Sequence, residues 1–197
     1  MREPLLLDVA GQAFAAAGYE RASMDRIAEL AGVSKPMLYA YFDSKEGLYV
    51  AYIERTGRDL MERLRAADSG APHAARLRAL ICQFLGFVEE HRDGWTVLYH
   101  ELNAGRPIVS VVADLRGQIA GEIAGMLAVG TPSWNGLEPP AADAVGHAIV
   151  GAGESLANWW LQHPEVARDD VTEWFAALAQ AAIGAAERHG LESSART

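Results

Sequence analysis

The chain has 197 residues, of which 50% are hydrophobic and 22% are charged, a composition typical of a soluble globular protein rather than a disordered or fibrous one. With 17 basic and 26 acidic residues its formal net charge is −9, which argues against coating nucleic acid or a membrane through overall charge. The single cysteine, Cys82, excludes an internal disulfide and favours a reducing, cytoplasmic compartment. No stretch is long and apolar enough to predict a membrane span.

Apolar residues recur along the chain with the 3.6-residue spacing of an α-helix, and no alternating strand pattern competes with it. The first helix carries its apolar stripe from Leu6 to Ala17, and Gly18 is placed to cap its C-terminus. Two short helices follow. Longer helices are predicted over about residues 44–66, 73–91, 94–103, 107–128, 141–162 and 169–188. The sequence therefore predicts an all-α protein.

Helix length and charge divide the chain into two parts. Residues 1–66 hold nine basic and ten acidic side chains, whereas residues 67–197 hold eight and sixteen. We expect a small N-terminal domain over residues 1–46, built from three helices, and a larger helical domain over residues 47–197. The Gly/Pro-rich segment from Gly130 to Pro140 is predicted to be a loop, and the tail from about His189 is predicted to fray.

The segment from Ser23 to Lys45 has the pattern of two short helices joined by a tight turn. Ser23 and Ser34 are placed to cap the two helices, and Gly32 is placed to end the first. Pro36 falls in the first turn of the second helix, where its missing N–H leaves no hydrogen bond unmade. The apolar residues predicted to hold the pair at a fixed angle are Ile27, Ala31, Val33 and Leu38. A helix-turn-helix of this kind places its second helix in the major groove of DNA.

The chain has fifteen arginines but only two lysines, Lys35 and Lys45, and both lie in this segment. Lys35 opens the second short helix, and Lys45 opens the next helix, where its ammonium and the helix N-terminus can both meet a phosphate. Tyr39 and Tyr41 point in different directions, so one is placed toward a phosphate and the other toward a base. The alternative interpretation of the tyrosines is half-buried packing. The alternative interpretation of a lone lysine is a contribution to solubility. The joint spacing favours DNA contact.

These residues resemble the N-terminal domain of the TetR/AcrR family of transcriptional regulators over about residues 5–50. The matching pattern is Phe14-x3-Gly18-Tyr19, then Ser23-Met24-x2-Ile27-Ala28-x2-Ala31-Gly32-Val33-Ser34, then Leu38-Tyr39-x-Tyr41-Phe42-x2-Lys45-x2-Leu48. The resemblance implies a three-helix DNA-binding domain followed by a helical domain that dimerises and binds a small ligand. It implies no catalytic residue, cofactor or metal.

The resemblance also implies which residues of this chain contact DNA, because they occupy the matching positions of the family pattern. Ser23 sits at a helix start near the DNA backbone, and Lys45 holds a phosphate. The residues that face the operator are Ser34, Lys35, Pro36, Met37, Tyr39 and Tyr41. Met37 departs from the polar residue common at its position, which suggests an apolar contact with a thymine methyl group.

Beyond about residue 50 the resemblance fades, and the predictions for this part of the chain depend on residue types. The aromatic and polar side chains predicted to line an apolar ligand pocket are Phe87, Trp95, Tyr99, His100, Asn103, Trp134, Asn158, Trp159 and Gln162. Plain core packing is the other interpretation of each aromatic residue. Because Trp159 and Trp160 lie about 100° apart on a helix, we expect one inside the domain and one near a partner subunit.

Small residues are dense in the two C-terminal helices, predicted over residues 141–162 and 169–188. They include Gly146, Ala148, Gly151, Ala152, Gly153 and Ala157 in one helix, and Ala177, Ala181, Ala182, Ala185 and Ala186 in the other. Glycine inside a helix is unfavourable by about 0.5–1 kcal/mol relative to alanine, so this cluster indicates close packing. Two copies are predicted to join through a four-helix contact, as the resemblance also implies.

Together these features predict a homodimeric, ligand-responsive regulator that binds a near-palindromic operator on double-stranded DNA. The resemblance implies a repressor released by a small, largely apolar effector, although the sequence leaves repression and activation both open. The alternative is a small helical enzyme. Its candidate groups are the pairs His100 and Glu101, His91 and Glu89, and Asp143 and His147. No H-E-x-x-H motif, nucleophile elbow or Walker loop supports it. A DNA-independent adaptor would leave the two lysines unexplained.

Overall fold

The computed structural model describes residues 3–67, 72–92, 94–95, 113–114, 117–123, 125 and 139–194. Every element given bounds in these ranges is an α-helix, which confirms the predicted fold class. The elements are α1 (Glu3–Arg21), α2 (Met24–Leu30), α3 (Lys35–Phe42), α4 (Lys45–Ala67), α5 (His73–Glu90), α6 (Pro139–Leu161) and α7 (Arg168–Ser194). None of the described helices is long and apolar enough to cross a lipid bilayer.

The predicted helix boundaries agree with α4, α5 and α6 to within two residues. α6 begins at Pro139, so this residue and Pro140 form a first turn, where proline is tolerated, rather than the end of a loop. α7 continues to Ser194, beyond its predicted end at residue 188 and through the segment from about His189 that the sequence predicted to fray. No proline interrupts that segment, and Gly190 weakens a helix by only about 1 kcal/mol. The helices predicted over 94–103 and 107–128, and residues 130–138, lie largely outside the described residues.

In α1, Gly18 has φ +73° and ψ +161°, and the chain makes one further turn to Arg21. This conformation is open to glycine and strained for other residues. Gly18 therefore interrupts the first helix where the sequence predicted its end.

The chain divides into two compact units, Met1–Asp59 with His91–Leu115, and Leu60–Glu90 with Arg116–Thr197. α1, α2, α3 and the first part of α4 share the core of the first unit. Its buried members are Leu6, Leu7, Ala10, Phe14, Ala22, Met24, Ile27, Ala28, Leu38, Phe42, Leu48, Tyr49, Tyr52 and Ile53. At its centre the ring of Tyr49 packs edge-on against Phe14 and Tyr19, with centroids 4.8 and 4.9 Å away. Because α2 and α3 each bury one face in this core, the packing determines which face of each helix is exposed to solvent.

In the second unit α5 packs against α6 and α7. Its main core cluster is Leu77, Ile81, Leu85, Ile149, Trp160, Val171, Phe175, Ala176, Ala179 and Ile183. The connection between α6 and α7 is held by the indole N–H of Trp160, which donates to the carbonyl of Val166 at 2.9 Å. Two ion pairs, Arg168 with Glu89 at 3.0 Å and Arg78 with Glu173, join α7 to α5.

Candidate nucleic-acid interface

Both serine caps predicted from the sequence are present. The hydroxyl of Ser23 accepts the backbone N–H of Arg26 at 3.3 Å, and that of Ser34 accepts the N–H of Met37 at 3.4 Å. Pro36 lies in the first turn of α3. Each cap satisfies a backbone donor that a short helix would otherwise leave unpaired, so α2 and α3 start at defined residues.

The turn between α2 and α3 closes through a pair of backbone hydrogen bonds. Val33 N–H donates to Ala28 O at 3.0 Å, and Gly32 N–H donates to Glu29 O at 3.1 Å. Gly32 has φ +66°, in the left-handed region that side chains disfavour. This is the Schellman arrangement that ends many helices, and it turns the chain directly into α3.

The angle between α2 and α3 is set by buried apolar residues. Ile27 and Leu38 have no exposed surface, and Ala28 has almost none. Ala31 and Val33 pack, partly buried, against the same core. The four residues predicted to hold the pair are therefore all in contact with one cluster.

The outer face of α3 is open to solvent. Lys35 and Pro36 are exposed, Met37 is half-buried, and Tyr39 and Tyr41 keep 37% and 46% of their surface exposed. Neither tyrosine is a core residue. The fold thus brings the residues predicted to face DNA to one exposed helix, with Ser34 at its start.

Two ion pairs lie at the surface formed by α2 and the start of α3. Lys35 Nζ donates to Asp25 Oδ2 at 2.9 Å, and Arg26 pairs with Glu29 at 2.7 Å. The hydrogen bond that the Lys35 ammonium donates to Asp25 raises the pKa of Lys35. Sequence reasoning missed the role of Asp25 as a partner. The sequence feature that indicates this pairing is the position of Asp25 in the first turn of α2, which the helix-turn-helix brings close to the first residue of α3.

Lys45 sits at the start of α4 in a more enclosed position. Its Nζ donates to the carbonyl of Glu20 at 3.0 Å and lies 4.5 Å from the ring centroid of Tyr19. Burial lowers the pKa of Lys45. The ammonium is therefore anchored to α1, and the sequence did not predict this contact because it joins residues 25 positions apart.

The corner between α3 and α4 is tight. Ser44 caps α4 by accepting the N–H of Gly47 at 2.9 Å, and Asp43 adopts a positive φ of 58°. A Cβ atom at Gly47 would overlap the carbonyl oxygen of Phe42. This corner fixes where the N-terminus of α4 points relative to α3.

The residues predicted to line a ligand pocket lie in different surroundings. Phe87 is buried in a cluster with Leu60, Met61, Leu64 and Leu80 of the second unit. Trp95 is also buried and belongs to the first unit. Asn158 donates to the carbonyl of Glu154 at 2.8 Å, and Gln162 donates to that of Asn158 at 3.3 Å. Tyr99, His100, Asn103 and Trp134 lie outside the described residues.

Of the two adjacent tryptophans, Trp160 is inside the second unit and Trp159 is 39% exposed. Trp159 stacks on His163 with centroids 4.2 Å apart and lies 6.5 Å from Trp174 of α7. An exposed apolar stripe continues along α7. We call the set Trp159, Trp174, Ala177, Leu178, Ala181, Ala182 and Ala185 the α6–α7 face.

The histidines proposed for the enzyme alternative do not assemble a metal site in the described part of the chain. Asp143 and His147 lie 3.7 Å apart on α6, and both are exposed. No group of three or more potential ligands is placed to hold a metal ion among the described residues. His100 and Glu101 are outside them.

Comparison with known proteins identifies both parts of the chain. Residues 6–52 match the family described as "Bacterial regulatory proteins, tetR family". Residues 73–187 match the family described as "Tetracyclin repressor-like, C-terminal domain".

Individual relatives agree with these matches. The chain is 30% identical over 163 residues to the HTH-type transcriptional activator FasR of Mycolicibacterium smegmatis, covering 82% of this chain and 73% of FasR. A TetR-like transcriptional regulator from Rhodococcus sp. RHA1 has 32% identity and a TM-score of 0.74, covering 93% of this chain and 96% of the regulator. FadR from Bacillus subtilis, solved in complex with stearoyl-CoA, has a TM-score of 0.77 at 17% identity, covering 89% of this chain and 96% of FadR. At that identity FadR shows the shared fold alone.

Proposed function

Because the chain belongs to the TetR family of transcriptional regulators, we propose that it binds a near-palindromic DNA operator as a homodimer, under the control of a small effector. Its relatives are regulators, and it is not an enzyme. The observation that carries the proposal is the exposed outer face of α3, held in place by buried Ile27 and Leu38. The division at residue 46 into a DNA-binding and a ligand-binding domain belongs to the same proposal, as does a cytoplasmic location.

In this proposal α3 enters the major groove with its N-terminal end toward the base edges. Lys35 and one of the two exposed tyrosines, Tyr39 or Tyr41, contact bases, and Met37 meets a thymine methyl group. Ser34 and Pro36 shape the first turn that approaches the DNA.

The backbone contacts lie on either side of α3. Lys45 and the N-terminus of α4 meet one phosphate, and Ser23 at the start of α2 meets another. These contacts orient the helix without reading sequence.

The dimer forms through α6 and α7 in this proposal. The α6–α7 face is apolar and exposed in the protomer, with Trp174 at 54% and Leu178 at 57%. Large aromatic and aliphatic side chains left open on a folded surface are typical of an interface. Its alanines allow two copies of α7 to approach closely around a twofold axis. Two copies of α3 would then read half-sites about 34–36 Å apart.

The effector is proposed to be a small, largely apolar molecule bound in the C-terminal domain. To move the dimer from 1% to 99% in the released form, it must bind that form about 10⁴-fold more tightly than the DNA-bound form. Stearoyl-CoA is a suitable first probe because the structurally similar FadR of B. subtilis was solved with it. Shifts in melting temperature across acyl and apolar aromatic compounds would identify the class.

Repression is the proposed outcome of operator binding, in which the effector relieves the block. FasR supports activation as the second candidate, since its name describes an activator and 30% of the aligned residues are identical. A reporter driven by the bound promoter separates the two. Deleting the regulator raises expression under repression and lowers it under activation.

Titration of the purified protein against the promoter region of its own gene, across a range of salt concentrations, tests the proposal. Tyr39→Phe and Tyr41→Phe each remove one hydroxyl group. The variant that loses the hydroxyl in contact with a base is expected to bind the operator more weakly by about 1–3 kcal/mol. Lys45→Ala removes an ammonium from the DNA backbone and lowers the salt slope by about one unit for each phosphate it had neutralised. Unchanged operator binding in these variants and in Lys35→Ala would refute the assigned contacts.

A further inference from the structure

The basic side chains around the proposed DNA-binding surface are held by acceptors within the protein. Residues 22–46 contain three basic residues, Arg26, Lys35 and Lys45. Arg26 pairs with Glu29, Lys35 with Asp25, and Lys45 donates to the carbonyl of Glu20. A neighbouring carboxylate therefore offsets the charges of Arg26 and Lys35, which weakens the sequence-independent attraction that DNA-binding proteins use.

The pair between Lys35 and Asp25 differs from the other two because of where it lies. Lys35 is the first residue of α3, and Asp25 lies in the first turn of α2. The 2.9 Å hydrogen bond therefore fixes the ammonium at the N-terminal end of the proposed recognition helix. Side chains of both residues are solvent-exposed, at 47% and 69%, so DNA can reach the pair.

We propose that Asp25 limits the affinity of the protein for DNA by holding Lys35, because a duplex must displace the carboxylate before Lys35 can contact it. This inference rests on the proposed DNA-binding function. A phosphate of random DNA offers Lys35 only the exchange of one oxygen acceptor for another, and it also meets the repulsion of the Asp25 carboxylate. At the operator, base-edge acceptors and the surrounding fitted contacts favour the exchange.

The opposite arrangement, a free lysine at the same position, would strengthen binding to every sequence. Neutralising one phosphate steepens the dependence of log K on log salt by about 0.9. An exposed ion pair is weak, so its loss at Asp25 is expected to strengthen binding to the operator by roughly threefold per half-site. For a dimer that makes about tenfold on the operator. The gain on random DNA is equal or smaller, because random DNA displaces less of the ion pair in the wild type.

The test compares Asp25→Asn with Glu29→Gln. Both changes remove one exposed carboxylate from α2 and keep a side chain of similar shape, but Glu29 pairs with Arg26 and not with Lys35. Binding is measured by fluorescence anisotropy on an operator selected from a randomised duplex pool and on a random-sequence duplex, from 50 to 300 mM salt. Circular dichroism and melting temperature establish that both variants are folded.

Asp25→Asn is expected to strengthen operator binding by three- to tenfold, to strengthen random-duplex binding by no more than that, and to steepen the salt slope on random DNA. Asp25→Glu keeps the charge and is expected to restore the wild-type affinity for both duplexes. In a Lys35→Ala background the effect of Asp25→Asn should largely disappear, because the carboxylate then has no lysine to hold.

Unchanged operator affinity of Asp25→Asn would overturn the inference. An equal effect of Glu29→Gln, or an undiminished effect in the Lys35→Ala background, would also overturn it and assign the change to general charge. The proposed function would stand in that case, because the wild-type protein would still select an operator. A wild-type protein that selects no duplex at any salt concentration would overturn both.

Discussion

Truncating Leu178 to alanine tests whether the α6–α7 face joins two subunits. Leu178 keeps 57% of its surface exposed in the protomer. Complete burial of a leucine side chain stabilises by about 1.5–3 kcal/mol, so burying the remaining half contributes about 1–1.5 kcal/mol. A twofold interface contains the residue twice. Leu178→Ala is therefore expected to weaken dimerisation by about 2–3 kcal/mol, which raises the dimer dissociation constant roughly 30- to 150-fold.

Sedimentation equilibrium over a dilution series measures that constant directly. Leu5→Ala is the matched control, because Leu5 is 55% exposed and lies on α1 in the other compact unit. Leu178→Ala should leave the helical circular dichroism signal of the protomer unchanged, since the side chain is exposed there. An unaltered dissociation constant for Leu178→Ala, or an equal weakening by Leu5→Ala, would refute the assignment of the interface.

Three substitutions in the N-terminal unit test the physical basis of the helix-turn-helix, each by urea unfolding. The Cβ atom added by Gly32→Ala meets no atom within 4 Å, so its effect depends only on the positive φ, and we expect the free energy of unfolding to fall by about 1 kcal/mol. An unchanged unfolding midpoint would contradict the left-handed turn. Leu38→Ala removes a fully buried side chain and should destabilise by about 2–5 kcal/mol; a loss below about 1 kcal/mol would place Leu38 outside the core. Ser34→Ala removes a cap and should lower the free energy of unfolding by about 1 kcal/mol, whereas Ser34→Asp keeps a capping side chain and should retain the wild-type stability. Equal stability of the two variants would argue against the cap.

Local signals made the helix-turn-helix predictable from the sequence. Caps such as Ser23 and Ser34 act on backbone groups two or three residues away, and Gly32 acts on its own dihedral angles. Ile27 and Leu38 follow from helical periodicity over a few turns. These determinants are short in range, so reading neighbouring residues is enough to place them.

Contacts between distant residues could not be derived in the same way. Val171, Trp174, Phe175 and Leu178 recur at helical spacing in α7, so the sequence alone places them on one apolar stripe. In the structure Val171 and Phe175 are buried and the other two are exposed. An apolar face wider than one contact leaves the helix rotation undetermined until the packing partners are known.

The ligand pocket shows the same limit more strongly. Composition identified aromatic residues, but aromatic residues serve equally well in cores, as Phe87 does, and on exposed faces, as Trp159 does. The ion pair of Lys35 with Asp25 was also missed, because side chains ten residues apart meet only after the turn has formed.

Hydroxyl-radical footprinting of the protein on the promoter region of its own gene is the most direct test that α3 of two subunits reads DNA. We expect two protected patches related by twofold symmetry, with centres about 10–10.5 base pairs apart, and weaker protection of both with Lys35→Ala. A single unsymmetrical patch, or protection that Lys35→Ala leaves unchanged, would contradict this mode of binding.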